Sequence, residues 1–171
     1  MKFFENSEDS EDFLRKDGNS NNVLFLPAFN GLGAPYWNSE IRGGFYGITQ
    51  DTSIEDMTTA TFHSVAFQTK DITNILSLYD IKIQKLLVDG GMVSNKTFCQ
   101  VLADTLQIEI VKPKNVESTA IGACKVAMLS TGMNIENLSK NEISYEANKD
   151  RRDVYSRNYA KWQKYLLNTI K

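Results

Sequence analysis

A short apolar run followed by two glycines constrains the fold of this chain most. Residues 86–95 read LLVDGGMVSN, and residues 96–106 continue with apolar side chains at helical spacing. This pattern predicts a buried strand, a tight turn at Gly90 and Gly91, and a helix start at Ser94 and Asn95. Backbone N–H groups and the positive end of a helix dipole at one point favour a phosphate or a nucleotide. The same pattern is common in turns without a ligand, so by itself it favours an ordinary turn.

The composition narrows the class of protein. A chain of 171 residues with 42% hydrophobic residues and a formal net charge of −2 can bury a core but presents no large basic surface. We therefore expect one domain and no nucleic-acid partner. No apolar run reaches the length of a membrane span, and residues 1–5 lack the apolar region of a secretory signal.

The cysteines and the histidine indicate no metal centre. Cys99 and Cys124 lie in apolar helical patterns without CxxC spacing, which predicts buried, reduced thiols in a cytoplasmic protein. His63 is the single histidine, so a multi-histidine metal site is excluded. Its place within a long helical pattern favours a packed residue over a catalytic one.

Strands alternate with helices along the chain, which predicts an α/β sheet flanked by helices. We divide the chain into a polar lead-in (1–22), a core (23–132) and a tail (133–171), with residues 134–149 as a polar loop. Ligands of such sheets bind at the carboxyl ends of strands, where Gly90 and Gly91 lie. The predicted strands cover 23–26, 42–49, 85–88 and 108–111, and the predicted helices cover 54–78, 96–106, 119–130 and 151–171.

Two segments allow two interpretations each. Residues 28–37 contain two glycines, a proline and three aromatic residues. Their rings either cover the edge of the sheet, which we favour, or line an active-site cleft. The aromatic stripe of the terminal helix predicts that it folds back onto the core, with a partner-binding helix as the alternative.

Six motifs occur in a characteristic order along almost the whole chain. They are residues 27–37 (PAFNGLGAPYW), 42–49 with RG and GIT, 65–71 (VAFQTKD), 88–91 (VDGG), 120–123 (AIGA) and 157–162 (RNYAKW). In order and spacing they resemble the C-terminal half of glycerol kinases, in the FGGY carbohydrate kinase family. The resemblance implies the actin-like ATPase, or ribonuclease H-like, fold: a mixed sheet flanked by helices, with a C-terminal helix.

The resemblance also implies a function. Glycerol kinases use ATP, with Mg²⁺, to phosphorylate glycerol to glycerol 3-phosphate, and the nucleotide lies between two similar domains. Gly90 and Gly91 correspond to the adenosine-binding turn of the family, with Gly91 and Asn95 as the contact positions. The Asn95 amide can both donate and accept hydrogen bonds, as an adenine edge or a ribose requires. Alternatively, Ser94 merely caps a helix that Asn95 begins.

This chain departs from the family in what it lacks. The phosphate-binding hairpin, the glycerol pocket and the catalytic aspartate all belong to residues upstream of those present here. His63 occupies a position that is usually acidic, and the differences before Arg157 mean that a regulatory phosphotransferase partner should not be assumed. We expect no catalytic or metal-binding residue in this chain, and Asp89 is interpreted as orienting the turn. The candidate bases, none in a matching motif, are Asp51, Asp56, Asp71, Asp89 and Asp104.

The expected partners follow from this assignment. They are the N-terminal half of a glycerol kinase, ATP or ADP, and glycerol through the missing half, while a homo-oligomer stays open. The chain on its own should be inactive. Two alternatives are a non-catalytic interaction module with the same fold, and half of a kinase of the FGGY family for another sugar or polyol.

Overall fold

Two small sheets and four α-helices make up the part of the chain that the structure describes. The computed structural model describes residues 7–114, 118–133 and 142–170. In chain order the elements are β1 (Leu24–Leu26), β2 (Gly44–Tyr46), α1 (Ile54–Leu78), β3 (Lys85–Leu87), α2 (Lys96–Leu106), β4 (Glu109–Pro113), α3 (Ser118–Ser130), β5 (Glu142–Tyr145) and α4 (Arg152–Thr169). Single 3₁₀ turns cover Ser7–Glu11, Gly91–Ser94 and Lys149–Arg151. No described helix combines the length and apolar character that a membrane span requires.

The strands form two sheets among the described residues. β1 and β2 pair antiparallel, whereas β3 pairs parallel with β4 and β4 pairs antiparallel with β5. The predicted α/β class with a mixed sheet is therefore confirmed for the sheet of β3, β4 and β5. The prediction of a loop over 134–149 is wrong at β5, and residues 134–141 lie outside the described residues. Ile143 and Tyr145 alternate with polar residues on an exposed strand, so their apolar signal is weak.

The end of β4 also differs from the prediction. The predicted strand ends at residue 111, but Lys112 and Pro113 both belong to β4 and pair with Ile143 and Glu142 of β5. Pro113 is the last residue of the strand, and it lies beyond the pairing of β3 with β4, which ends at Val111.

Side-chain caps define the two helices that flank the sheet. Ser53 accepts a hydrogen bond from the N–H of Asp56, and the Asp56 carboxylate accepts one from the N–H of Ser53. This capping box starts α1 where the sequence predicted it. Asn95 caps α2 with a single bond, in which its side chain accepts from the N–H of Phe98. The bounds of both helices agree with the prediction.

α4 packs back on the core, as its aromatic stripe predicted. Tyr155, Trp162 and Leu166 are buried, and the Trp162 indole Nε1–H donates to the carbonyl oxygen of Phe25 at 2.8 Å. The hydrogen bond ties α4 to β1, and the buried indole completes an apolar cluster with Leu26 and others. The terminal helix is thus a part of the core.

α3 is the exception to close packing. None of its residues is buried, and the side chains of Val126 and Leu129 are 68% and 56% exposed. Cys124, on the same helix, is exposed, so the prediction of two buried thiols holds only for Cys99. A helix with apolar residues on all sides is normally buried, and α3 is not.

The aromatic loop packs only in part. Ala28 and Leu32 are buried and Tyr36 is half-buried, but Phe29 and Trp37 are 74% and 80% exposed. The prediction that all three rings cover the sheet is therefore wrong for two of them.

Candidate functional site

The two glycines lie where the sequence placed them, directly after β3. Gly90 has a φ of +103°, a conformation that strongly favours glycine. Its carbonyl accepts a hydrogen bond from the N–H of Val93 at 3.2 Å, which closes the 3₁₀ turn Gly91–Ser94. Residues 90–95 are called the glycine turn below. The 3₁₀ turn begins at Gly91 and lies between Gly90 and α2. The sequence did not predict this turn.

Asn95 begins α2 by capping it. Its side-chain oxygen accepts a hydrogen bond from the N–H of Phe98 at 2.8 Å. The alternative that Ser94 is the cap is therefore wrong. The amide nitrogen of Asn95 is buried and has no hydrogen-bond acceptor among the described residues. An unpaired buried donor is rare, and it is the kind of group that an acceptor on a ligand would satisfy.

The centre of the glycine turn is anchored by contacts with β4 and α2. The side chain of Val93 is buried in an apolar cluster with Phe98 and Cys99. The carbonyl oxygen of Val93 accepts hydrogen bonds from the Lys112 ammonium and from the Cys99 thiol, the latter at 3.4 Å. Burial raises the pKa of Cys99, so the thiol keeps the proton that it donates. β4 and α2 thus fix the turn from two sides.

Lys112 is the residue at this site that sequence reasoning missed. It is only 6% exposed although lysine is rarely buried. No local pattern in the sequence signals it, because its partner Val93 lies 19 residues earlier in the chain.

The outer side of the glycine turn is open. A Cβ atom placed on Gly90 or Gly91 would meet no atom within 4 Å. Asp89 is exposed, and no hydrogen bond within the described ranges joins it to the turn, so the proposed orienting role is not seen. A groove of about 220 Å³ lies beside the turn, lined mainly by Leu87, Asp89, Lys112, Pro113, Ser118 and Glu142. The groove lies at the carboxyl ends of β3 and β4, where α/β sheets bind ligands.

Two of the candidate bases have structural partners. Asp56 forms an ion pair with Arg15 at 2.7 Å and accepts from Asn21 at 2.9 Å. Asp104 is buried and accepts from Gln100 and from the N–H of Asn148, both at 2.8 Å. Both oxygens of Asp56 are engaged, since the N–H of Ser53 donates to Oδ2. In Asp104 both hydrogen bonds fall on Oδ1, while Oδ2 is buried 3.6 Å from Arg151 with no hydrogen-bond partner among the described residues.

Asp71 joins three parts of the chain. It accepts hydrogen bonds from the hydroxyl of Tyr159 on α4 and, at 2.7 Å, from the hydroxyl of Tyr36 in the aromatic loop. Burial raises the pKa of Asp71, and the two hydroxyls oppose that shift. Both carboxylate oxygens are used, which indicates a structural carboxylate rather than a base.

His63 is buried, at 2% exposure, among the rings of Phe67 and Tyr155. Desolvation lowers the pKa of His63 to about 4, so the imidazole is neutral at pH 7. The packed interpretation of this residue is confirmed. Within residues 7–114, 118–133 and 142–170 there is no group of three or more His, Cys, Asp or Glu that could hold a metal ion.

Comparison with known proteins identifies the relatives of this chain. Residues 5–131 match the FGGY family of carbohydrate kinases, C-terminal domain. A glycerol kinase of Streptococcus pneumoniae (strain Hungary19A-6) is 44% identical over 133 residues, which are 77% of this chain and 26% of that protein. The chain thus spans about a quarter of the length of the curated relatives it matches.

Solved structures agree with the family match. The glycerol kinase of Plasmodium falciparum, crystallised with ADP, superposes with a TM-score of 0.81 at 28% identity, over 98% of this chain and 35% of that one. A xylulose kinase of Lactobacillus acidophilus superposes with a TM-score of 0.73 at 22% identity, over 92% of this chain and 33% of that one, and supports the fold. From the matched motifs, the glycine turn and the shared fold it follows that the chain belongs to the FGGY family of carbohydrate kinases and carries its C-terminal domain.

Proposed function

We propose that this chain is the nucleotide-binding half of a glycerol kinase, which transfers the γ-phosphoryl group of ATP to glycerol and yields glycerol 3-phosphate. The observation that carries the proposal is the open glycine turn at the end of β3, with an unpaired Asn95 amide, in a chain 44% identical to a glycerol kinase. The relative from Plasmodium falciparum was crystallised with ADP, which supports a nucleotide as the ligand of this chain.

The glycine turn would bind the adenosine end of the nucleotide. Gly91 allows the ligand to approach the backbone, and the Asn95 amide nitrogen donates to an acceptor on the adenine or ribose. These contacts do not touch the reacting phosphate. In-line phosphoryl transfer also needs groups that position the phosphates, with their Mg²⁺, and a carboxylate that receives the proton of the hydroxyl. We assign these groups to the rest of the kinase, so the chain alone should be inactive.

Two further observations concern the cellular location and the substrate. The unpaired cysteines Cys99 and Cys124 fit a reducing, cytoplasmic location. The similarity to xylulose kinases keeps another polyol or sugar as the second candidate substrate, because the substrate pocket belongs to the remaining part of the kinase.

The experiment combines this chain with the upstream part of the pneumococcal glycerol kinase. We expect ADP to bind the assembled pair in calorimetry, and ATP, Mg²⁺ and glycerol to give glycerol 3-phosphate. The same assay with xylulose in place of glycerol tests the second candidate substrate. The Gly91→Leu variant should assemble but lose ADP binding. Turnover by the chain alone, or unchanged ADP affinity of the Gly91→Leu pair, would show that the site is assigned wrongly.

A further inference from the structure

A carboxylate of the chain itself lies at the N-terminus of α2. Oε1 of Glu11 accepts hydrogen bonds from the backbone N–H and from the side-chain hydroxyl of Thr97, both at 3.1 Å. Thr97 is the second residue of α2, two positions after Asn95. Glu11 ends the 3₁₀ turn Ser7–Glu11 in the polar lead-in, 86 positions before Thr97. A long-range contact thus brings a negative charge to the start of this helix.

The segment that carries Glu11 is fixed to α1. Leu14 is buried, at 5% exposure, and the neighbouring Arg15 forms its ion pair with Asp56 at 2.7 Å. The backbone N–H of Arg15 also donates to the hydroxyl oxygen of Thr59 at 3.0 Å. Because α1 holds this segment four residues after Glu11, the carboxylate is a fixed link between α1 and the start of α2.

Acceptors within the chain occupy the N–H groups that open α2. The N–H of Phe98 donates to the side chain of Asn95 at 2.8 Å, and that of Thr97 donates to Glu11. The N-terminus of a helix ordinarily attracts a phosphate, because its N–H groups are unpaired and its dipole is positive there. Here Glu11 already supplies the negative charge, and its carboxylate would repel a phosphate placed at the same groups. The unpaired Asn95 amide nitrogen remains for a ligand, and one uncharged acceptor satisfies it.

We propose that Glu11 is a positioning residue of the nucleotide site, and that its carboxylate reserves the glycine turn for the uncharged nucleoside end of ATP or ADP. By bonding Thr97 it fixes the first turn of α2, and with it the Asn95 amide that donates to the ligand. By its charge it keeps phosphate groups away from this helix end, so the nucleotide binds in one direction only. The inference rests on the proposed function, and it adds the residue that orients the ligand.

The effect of the charge is tested on this chain with inorganic pyrophosphate as the probe. In the unsubstituted chain the NMR signals of the Thr97 and Phe98 amides should not respond to it. Glu11→Ala frees the N–H and the hydroxyl of Thr97, so pyrophosphate should shift these amides and bind about tenfold more tightly or better. Asp12→Ala removes an exposed acidic side chain from the next residue and is the matched control, which should behave like the unsubstituted chain.

The positioning role is tested in the pair assembled with the upstream part of the pneumococcal kinase. Glu11→Ala should raise the KM for ATP about tenfold and change kcat by less than about twofold, because only binding of the nucleoside end is weakened. Glu11→Gln keeps an oxygen that accepts from Thr97, so it should restore most of the ATP affinity. Because it lacks the charge, the same variant should still bind pyrophosphate more tightly as a free chain. A merely structural role would not separate these two effects.

The outcomes distinguish this inference from the proposed function. The inference is overturned if pyrophosphate reaches the Thr97 amide of the unsubstituted chain as readily as in the Glu11 variants. It is also overturned if the Glu11→Ala and Asp12→Ala pairs have the same KM for ATP. If Glu11→Ala does not fold, the pyrophosphate comparison with Glu11→Gln decides. A pyrophosphate response that follows the charge of residue 11, with ADP binding that Gly91→Leu leaves unchanged, would instead overturn the proposed function and leave the charge effect standing.

Discussion

The side-chain oxygen of Asn95 accepts the N–H of Phe98 at 2.8 Å, while the amide nitrogen of the same side chain is buried and unpaired among the described residues. One residue thus supplies the cap of α2 and a free donor at the glycine turn. The two roles can be separated by substitution.

Asn95→Asp should separate them. The carboxylate keeps the cap and favours the helix N-terminus, which opposes the cost of a charged oxygen at the buried amide position, so the free energy of unfolding should change little. The donor is lost, so ADP affinity of the assembled pair should fall about tenfold. Asn95→Ala should lose the same affinity and also about 1 kcal/mol of stability. Calorimetry measures the ADP affinity, and urea unfolding measures the stability. If Asn95→Asp bound ADP as tightly as the unsubstituted pair, a donor role of Asn95 would be excluded.

The two glycines should respond differently to a side chain. Gly90 has a φ of +103° and a ψ of 177°, a region adopted almost only by glycine, so Gly90→Ala should cost roughly 1–3 kcal/mol of unfolding free energy through backbone strain. Gly91 has an ordinary φ and open space, so Gly91→Leu should leave the midpoint of denaturation unchanged and act on ADP binding instead. Denaturant titration of the two variants side by side checks this difference. Equal destabilisation would contradict the turn geometry.

His63 should make stability depend on pH. Its folded pKa, about 4, lies below the ordinary value of 6.5, so the unfolded chain binds the proton more readily. The free energy of unfolding keeps its full value above pH 6.5 and decreases as the pH falls towards 4. The total decrease is about 3 kcal/mol, at 1.36 kcal/mol per pKa unit. In His63→Leu this component should be absent, which unfolding curves measured between pH 7 and pH 4 would show. If the free energy of unfolding fell equally with pH in both proteins, the assignment of this pH dependence to His63 would be refuted.

Asp71 should stabilise the contact of the aromatic loop and α4 with α1. In Asp71→Asn one of the two tyrosine hydroxyls faces the amide nitrogen, which cannot accept its hydrogen bond, at a cost of about 1–3 kcal/mol. Tyr36→Phe and Tyr159→Phe should show a non-additive cost when combined, because they share that carboxylate. A double-mutant cycle by thermal unfolding measures the coupling. Strict additivity would mean that the hydroxyls act independently.

Local signals made much of the fold predictable. α1 and α2 begin at Ser53 and Asn95 because capping residues precede apolar helical patterns, and the glycines follow β3 because an apolar run ends there. The nucleotide role of Gly90, Gly91 and Asn95, like the division at residues 22 and 132, stays a prediction.

Long-range contacts explain what was missed. β5 exists because it pairs with β4, and its own residues are mostly exposed. Lys112 is buried because the Val93 carbonyl lies above it, a contact that no local pattern encodes. The apolar sequence of α3 is typical of a buried helix, yet none of its residues is buried.

The double anchoring of Val93 has a consequence for affinity. A loop that must become ordered on binding loses conformational entropy at that moment, whereas a turn held by a thiol and an ammonium is already preorganised. Weak binding by the isolated chain would therefore reflect contacts that are absent on the phosphate side. Joining the two parts should tighten the nucleotide mainly by slowing its dissociation.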